Sequence, residues 1–228
     1  MVNSVSVTRS SNVSSEESAY LASEYASIEM DSTPLHKFLE EIYDTLVMQA
    51  KLSPNDSLLD MGCGRGYFLE YLRLLGFQHL AGIDPCDPLV EQRIFADVQP
   101  GSFENNSFDY QSFDVVMTSH TLHHLADPFP ITAVEQMLSL ARRYAVIIEI
   151  NNTNLPMFGV SIWNRKVETN AWRYNLKRAR RLFESAGGEI IYAAHMACGY
   201  ISGDSLFHRA LALTGARPYN IVIARSIK

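Results

Sequence analysis

The stretch Leu58–Leu72, LLDMGCGRGYFLEYL, decides the fold. It runs from apolar residues through Gly62, Gly64 and Gly66 into an amphipathic pattern typical of a helix. Glycine adopts positive φ and lets the backbone approach a ligand closely. A helix that begins here also offers unpaired N–H groups and the positive end of its dipole. The stretch therefore predicts a strand, a ligand-binding loop and a helix.

Apolar runs and helical patterns alternate along the rest of the chain. Seven runs have the length and composition of strands: 57–61, 79–84, 93–98, 113–119, 144–150, 189–196 and 219–227. Helical patterns separate most of them, at 65–76, 127–141 and 176–188. This alternation predicts an α/β fold with a mostly parallel, Rossmann-like sheet and helices on both faces.

The 228 residues fit one sizeable domain with a modest addition. Residues 1–17 are rich in serine and are predicted to be a disordered lead. Residues 18–52 carry two helical patterns and are predicted to form an N-terminal helical cap. The main domain is predicted at 53–228, with an irregular insertion near 151–175 that is rich in amides and contains both tryptophans.

Charge and cysteine content exclude several classes of protein. The net charge of −6 argues against a nucleic-acid partner, which needs a basic face. No apolar run approaches the roughly 20 residues of a membrane-spanning helix, and the N-terminus lacks the apolar core of a secretory signal. The cysteines, Cys63, Cys86 and Cys198, show no metal-ligand spacing. These features predict a cytoplasmic protein without a bound metal.

The glycine spacing favours one class of ligand. Dinucleotide sites read G-x-G-x-x-G, whereas this loop reads G-x-G-x-G and follows Asp60. A carboxylate here would repel a pyrophosphate but would suit an ammonium group. S-adenosylmethionine (SAM) carries an ammonium and a sulfonium and has no phosphate. The alternative is a tight strand-to-helix turn that binds nothing.

Two further carboxylates are predicted at strand ends. Asp84 ends the second predicted strand, 18 residues beyond Gly66, and can accept both ribose hydroxyls. Asp97 is predicted to end the third strand and to accept the adenine amino group, with Val98 donating its backbone N–H. Alternatively, Asp84 is a turn residue before Pro85, and Asp97 is a solvated loop carboxylate.

The segments LLDMGCGRGYFLEYL, AGIDP, ADV and FDVVMTSHTLHHLADP together resemble a class I SAM-dependent methyltransferase. They are most similar to the small-molecule group that includes ubiquinone/menaquinone-type and natural-product enzymes, over roughly 56–150. The resemblance implies a seven-stranded sheet whose last strand is antiparallel. It also implies that the N-terminal cap closes the site, with Tyr20 or Tyr25 reaching the cofactor or the acceptor.

The same resemblance assigns the parts of the cofactor. It places Asp60 and the loop residues at the methionine end, Asp84 with Pro85 at the ribose, and Asp97 with Val98 at the adenine. Tyr67 and Ser119 match positions that border the cofactor. The cofactor residues implied are Asp60, Gly62, Cys63, Gly64, Gly66, Tyr67, Asp84, Pro85, Asp97, Val98 and Ser119.

The histidines of SHTLHHL follow the fourth predicted strand. The resemblance places His120 near the transferring methyl and matches His123 and His124 to a pair that serves as general base in some relatives. A base is needed only if the acceptor must lose a proton, since positioning supplies most of the acceleration. The alternative is that one or both of the pair are structural. Glu149 either orients a histidine, binds an acceptor group or lies in solvent.

The insertion is the candidate for acceptor recognition. Met157, Phe158, Trp163 and Trp172 either wall an apolar acceptor or pack the cap onto the sheet. A locally basic run either attracts an anionic acceptor or membrane surface, or forms a solvated helix face. It comprises Arg165, Lys166, Arg173, Lys177, Arg178, Arg180 and Arg181.

These observations predict SAM-dependent methyl transfer to an oxygen, nitrogen or carbon atom of a small-molecule acceptor, by in-line displacement. A non-catalytic SAM-binding protein of the same fold is the alternative, and an NAD-dependent oxidoreductase is a further one that the glycine spacing opposes. We expect a monomer or a homodimer.

Overall fold

A computed structural model describes residues 33–163, 165, 168–196 and 217–227 of the chain. The predicted lead at 1–17 and the first helical pattern of the cap, with Tyr20 and Tyr25, lie outside these residues, as do Cys198 and Lys166.

Seven strands form one sheet, as predicted. They are β1 Leu58–Met61, β2 Leu80–Asp84, β3 Val98–Pro100, β4 Phe113–Ser119, β5 Ala141–Ile150, β6 Gly188–Met196 and β7 Tyr219–Ser226. The strand order is β3-β2-β1-β4-β5-β7-β6. Strands β1 to β5 pair in parallel, while β7 is antiparallel to both β5 and β6. The predicted fold class, with its antiparallel last strand, is confirmed.

Six α-helices accompany the sheet in the described residues: α1 Thr33–Ala50, α2 Tyr67–Leu74, α3 Asp87–Glu91, α4 Phe129–Leu140, α5 Leu155–Trp163 and α6 Leu176–Ser185. Short 3₁₀ helices lie at Leu122–His124 and Ala171–Arg173. Among these helices, none combines the length and apolar content that crossing a membrane requires.

The sheet is covered on both faces because alternate strand residues point to opposite sides. In β5, Val146 and Ile148 join the core that contains α1 and α2. Their neighbours Ala145 and Ile147 join the core that contains α4 and α6. An apolar run without polar alternation is what a strand buried on both faces requires.

Two local expectations were wrong. The third strand begins at Val98, and 93–97 forms turns instead, because the Ile94 amide donates to the Arg65 carbonyl at 2.9 Å. The insertion is not wholly irregular, since it contains helix α5. Asn154 caps that helix by accepting from the Met157 amide at 3.2 Å, and Pro156 suits its first turn.

Candidate functional site

The glycine loop leaves β1 at the carboxyl edge of the sheet and enters α2. Gly62, Gly64 and Gly66 have φ of 77°, 55° and 84°, in the left-handed region that favours glycine. The amides of Gly62 and Cys63 both donate to the Ile83 carbonyl, at 2.7 and 3.1 Å. These bonds fix the loop against the end of β2.

The three glycines meet different surroundings. A Cβ on Gly62 would lie 2.3 Å from the Thr121 side chain, and one on Gly66 would lie 2.8 Å from Phe95 Cβ. Within the described part of the chain, a Cβ on Gly64 would meet only Leu89, at 3.9 Å. Gly62 and Gly66 are therefore required by packing, and Gly64 is the position where a ligand can approach the backbone.

Asp60 lies in β1 and is buried. Among the described residues, its Oδ1 has no hydrogen-bond partner and no access to solvent. Burial, together with the nearby carboxylate of Asp84, raises the pKa of Asp60 to about 7. A buried carboxylate without a partner favours a cationic ligand, so this residue fits the ammonium group of SAM.

Asp84 ends β2, and both its oxygens are engaged. Oδ2 accepts from the Gly64 amide and Oδ1 from the Cys86 amide, each at 2.8 Å. Burial raises the pKa of Asp84, although these two backbone bonds oppose the rise. Each carboxylate oxygen can accept a second bond, so Asp84 can hold the loop and a ribose hydroxyl together. Pro85 is exposed beside it.

The expected position of Asp97 requires a correction. Asp97 precedes β3 instead of ending it, and its carbonyl accepts from the Gly82 amide at 3.2 Å. In the sheet register Gly82 pairs with Val98, whereas the ligand edge lies two residues further on, where Asp84 pairs with Pro100. Asp97 is exposed and Val98 is buried at the far end of this short strand, which opposes their adenine assignment.

The other expected cofactor residues lie around the loop. Tyr67 is buried at the start of α2, and its hydroxyl accepts from Arg65 Nη1 at 2.9 Å. Burial, with the carboxylates of Asp60 and Asp84, raises the pKa of the Cys63 thiol well above its ordinary value. Ser119 ends β4, half-buried, and its carbonyl accepts from the Thr121 hydroxyl at 3.0 Å.

Thr121 is a site residue that the sequence reasoning did not single out. Its hydroxyl also lies 3.1 Å from the Gly62 carbonyl, so it joins the turn after β4 to the glycine loop. The sequence feature that points to Thr121 is its position inside SHTLHHL, the segment at the end of β4.

His120 follows β4 with a φ of 54°, which is unusual for a residue other than glycine. Its ring stacks on Phe38 of α1, with centroids 5.5 Å apart, and lies 4.3 Å from the Tyr219 ring. Nε2 is buried and has no partner within the described residues. Burial lowers the pKa of His120 to about 4, so the ring is neutral at physiological pH.

His123 is bound on both sides. Its Nδ1 lies 2.8 Å from Glu149 Oε2, and its Nε2 lies 2.5 Å from Glu168 Oε2. Burial alone would lower the pKa of His123, but these two carboxylates outweigh it and raise the value to about 10. The expectation that Glu149 orients a histidine is confirmed, because its side chain is fully buried against His123. Neither nitrogen of His123 is free to act as a base in this arrangement.

His124 packs beside His123, with ring centroids 4.2 Å apart. Its Nε2 lies 4.0 Å from Glu168 Oε2, and 16% of its side chain is exposed. Glu168 was missed by the sequence reasoning, because it lies in a segment with no recognisable pattern.

The large apolar side chains of the insertion differ in burial. Met157 is buried, whereas Trp163 is 88% exposed and does not wall a closed pocket. Phe158 and Trp172 are partly exposed. In the basic run, Arg173 and Arg178 both pair with Asp127, at 3.5 and 2.6 Å, which favours a solvated, ion-paired helix face.

Comparisons with known proteins agree with this geometry. Residues 35–223 match the family model described as a methyltransferase domain. A search of curated proteins finds no match.

Solved structures share the fold at low sequence identity. A complex between the Haloferax volcanii Trm112 methyltransferase activator and a methyltransferase is 17% identical, with 94% of this chain and 99% of that chain covered and a TM-score of 0.67. The plantazolicin methyltransferase BpumL with S-adenosylhomocysteine (SAH) is 19% identical, with 93% and 91% covered and a TM-score of 0.65.

A third similar structure is the magnesium protoporphyrin IX methyltransferase of Synechocystis PCC 6803 with bound SAH, at 15% identity, 83% and 82% coverage and a TM-score of 0.59. The family match spans most of the chain, and the buried Asp60 beside an open Gly64 fits the donor that such enzymes use. The chain belongs to the methyltransferase domain family and is a class I SAM-dependent methyltransferase.

Proposed function

We propose that this enzyme methylates a small molecule, and that the acceptor lies against His120. The observation that carries the proposal is the His120 ring, held between Phe38 and Tyr219, with a buried Nε2 that no described residue hydrogen-bonds. Two similar structures, both solved with SAH, are named for small-molecule acceptors, plantazolicin and magnesium protoporphyrin IX. Apolar and aromatic walls with a few polar atoms are typical of small-molecule sites.

The donor side is assigned to residues at the carboxyl ends of β1 and β2. Bound SAM supplies a methyl group on a sulfonium, which an acceptor atom takes by in-line displacement. Asp60 holds the ammonium group, the Gly64 backbone lies along the ligand, and Asp84 accepts from the ribose. Cys63, Tyr67 and Ser119 border this region and shape it.

We assign the adenine site to the residues that follow β3, in place of Asp97. Gly101 donates its amide to the Asp84 carbonyl at 3.1 Å, which places this segment beside the ribose residue. Ser102 and Phe103 come next, and Phe103 is buried against the same core as Ile83. We therefore assign the adenine to the segment around Ser102, at the edge where parallel strands end.

On the acceptor side, His120 and His123 have different roles. Neutral His120 can accept a proton from an O–H or N–H acceptor at Nε2 while the new bond to carbon forms. His123 instead holds the turn in position, since Glu149 and Glu168 occupy both of its ring nitrogens. His124 packs beside His123 and is partly exposed.

Radiolabel transfer tests the acceptor class. The protein is incubated with methyl-labelled SAM and, in separate reactions, with pooled small-molecule extract, with protein and with RNA. We expect label in the small-molecule fraction, and none with Asp60→Ala. Label confined to protein or RNA would contradict a small-molecule acceptor.

Setting and assembly stay predictions. Within the part of the chain that the structure describes, Cys63 and Cys86 form no disulfide, which agrees with the expected reduced cytoplasmic setting. A monomer or a homodimer remains the expectation, and the acidic composition opposes a nucleic-acid partner.

A further inference from the structure

Two adjacent histidines and a glutamate distant in sequence converge at the 3₁₀ helix that follows β4. One ligand atom each from His123, His124 and Glu168 lies within 4.8 Å of the other two. We propose that these three side chains bind a divalent transition-metal ion, with zinc as the preferred ion. The proposal does not depend on which acceptor the enzyme methylates.

Glu149 gives His123 the orientation that a metal ligand needs. Its carboxylate binds Nδ1 at 2.8 Å, and both side chains are buried. Metal-binding histidines almost always donate their second ring N–H to such a carboxylate, which fixes the tautomer and the ring plane. Nε2 of His123 is thereby directed at Glu168 and becomes the ligand atom.

The 3₁₀ helix Leu122–His124 brings the second histidine to the same point. Consecutive side chains on a regular α-helix diverge by about 100°, yet the two rings here have centroids 4.2 Å apart. His124 Nε2 therefore lies 4.0 Å from the Glu168 carboxylate.

The spacing suits an ion after a small adjustment. Zinc binds histidine nitrogen at about 2.0–2.1 Å and carboxylate oxygen at about 2.0–2.2 Å, so two tetrahedral ligand atoms lie about 3.3 Å apart. The separations from Glu168 Oε2 are 2.5 Å to His123 and 4.0 Å to His124, on either side of that value. A shift of Glu168 by about 1 Å equalises them, and its side chain is 25% exposed.

The donor set and its exposure fit a zinc site with an open position. Two imidazoles and one carboxylate are a known catalytic zinc set with a fourth, open position. His124 and Glu168 are partly exposed, which gives the ion a route of entry. Glu149 adds a second negative charge, so the four side chains neutralise a divalent ion once it replaces the proton between His123 and Glu168.

The test uses the full chain without an affinity tag, stripped with a chelator and dialysed. Zinc chloride is titrated by calorimetry, and cobalt(II) chloride is titrated with visible absorption as the readout. We expect one ion per chain and the intense d–d absorption of a low-coordinate cobalt site. His124→Ala and Glu168→Gln should each weaken zinc binding at least about 10–100-fold, the loss that even an outer-shell partner causes.

His79→Ala is the matched control, because His79 is exposed and lies outside the cluster. It should bind zinc as the parent does, and circular dichroism of each variant should match the parent. Failure of the folded parent to bind one zinc per chain would overturn the proposal. So would zinc binding that survives both cluster substitutions, or that His79→Ala weakens as much as they do.

Discussion

Asp60 and Asp84 lie at the ends of neighbouring strands, yet only Asp84 has both carboxylate oxygens hydrogen-bonded. Asp84 accepts from the backbone amides of Gly64 and Cys86, whereas Asp60 keeps a buried oxygen that no described residue hydrogen-bonds. Burial raises the pKa of both carboxyls, but only at Asp84 do backbone hydrogen bonds oppose that rise. Asp84 organises the loop, and Asp60 retains a capacity for positive charge that the protein itself does not satisfy.

The first prediction concerns the pH dependence of donor binding. The pKa of Asp60 is raised to about 7, so the carboxyl is protonated below that pH and must ionise to bind an ammonium group. SAM or SAH affinity should therefore fall about tenfold per pH unit below 7, or about 1.4 kcal/mol per unit. Calorimetry between pH 5.5 and 7.5 measures this slope. Asp60→Asn should bind weakly at every pH, and a parent with flat affinity would contradict the role of Asp60.

The second prediction concerns stability without ligand. Asp60 ionises near pH 3.9 in the unfolded chain but near 7 in the folded protein. The stability it contributes is complete below about pH 4 and is lost as the pH rises to 7. Asp60→Asn should remove this loss and be the more stable protein in urea unfolding at pH 7.5. Equal free energies of unfolding for the two proteins at pH 7.5 would contradict the raised pKa.

The third prediction separates packing from backbone strain in the loop. Gly62→Ala places a Cβ 2.3 Å from Thr121 at a φ of 77°, whereas Gly76→Ala meets no described atom within 4 Å at a φ of 93°. Gly76→Ala should cost about 1–2 kcal/mol, from left-handed strain alone. Gly62→Ala should cost about 2–5 kcal/mol, because overpacking adds to the strain. Urea unfolding measures both, and equal losses would show that Thr121 yields freely.

The fourth prediction concerns Asp84. Asp84→Asn places an amide between two backbone N–H donors, so one hydrogen bond from Gly64 or Cys86 is lost along with the charge. SAH affinity should fall by about 1.5–3 kcal/mol for each charge-assisted bond removed. Asp87→Asn, at an exposed position nearby, serves as the control and should bind normally. Unchanged affinity in Asp84→Asn would exclude the ribose assignment.

The fifth prediction concerns His120. His120→Phe keeps an aromatic ring between Phe38 and Tyr219 but removes the buried Nε2 that has no partner. The variant should be at least as stable as the parent, since an unsatisfied buried polar atom costs about 1–3 kcal/mol. With an acceptor that must lose a proton, turnover should fall about 10²–10⁴-fold at unchanged SAH affinity. Because the pKa of His120 is about 4, its titration should leave turnover unaffected between pH 6 and 8. Full turnover in the variant would contradict the proton-accepting role.

The sheet was predictable because local and global preferences agree along most of it. Residues 58–61 and 145–150 are mostly apolar and are buried without alternation, and the glycines at 62, 64 and 66 end one strand and begin one helix. The predicted start of the third strand was wrong, because a strand of three residues carries little periodic pattern. A bond from Ile94 to Arg65 and the buried Phe95, both tertiary effects, fix the chain before Val98.

The convergence of Asp60, Gly64 and Asp84 at one edge of the sheet was also predictable from spacing, and their role toward the donor stays a prediction. The acceptor side was not. The two bonds of His123 depend on Glu149 and on Glu168, which lies 45 residues further along in the insertion. No local pattern joins these residues, and the role of each histidine depends on which of them has a partner.

Strand β7 lies inside the sheet, between β5 and β6, so the edge strand β6 is attached to the sheet only through Tyr219–Ser226. During synthesis, β5 and β6 leave the ribosome well before the strand that must join them. Strands β5 and β6 therefore have unpaired backbone edges until β7 inserts between them. A stop codon before Tyr219 would remove β7 and so detach β6 from the sheet. It would also leave the edge of β5 open to pairing with other chains.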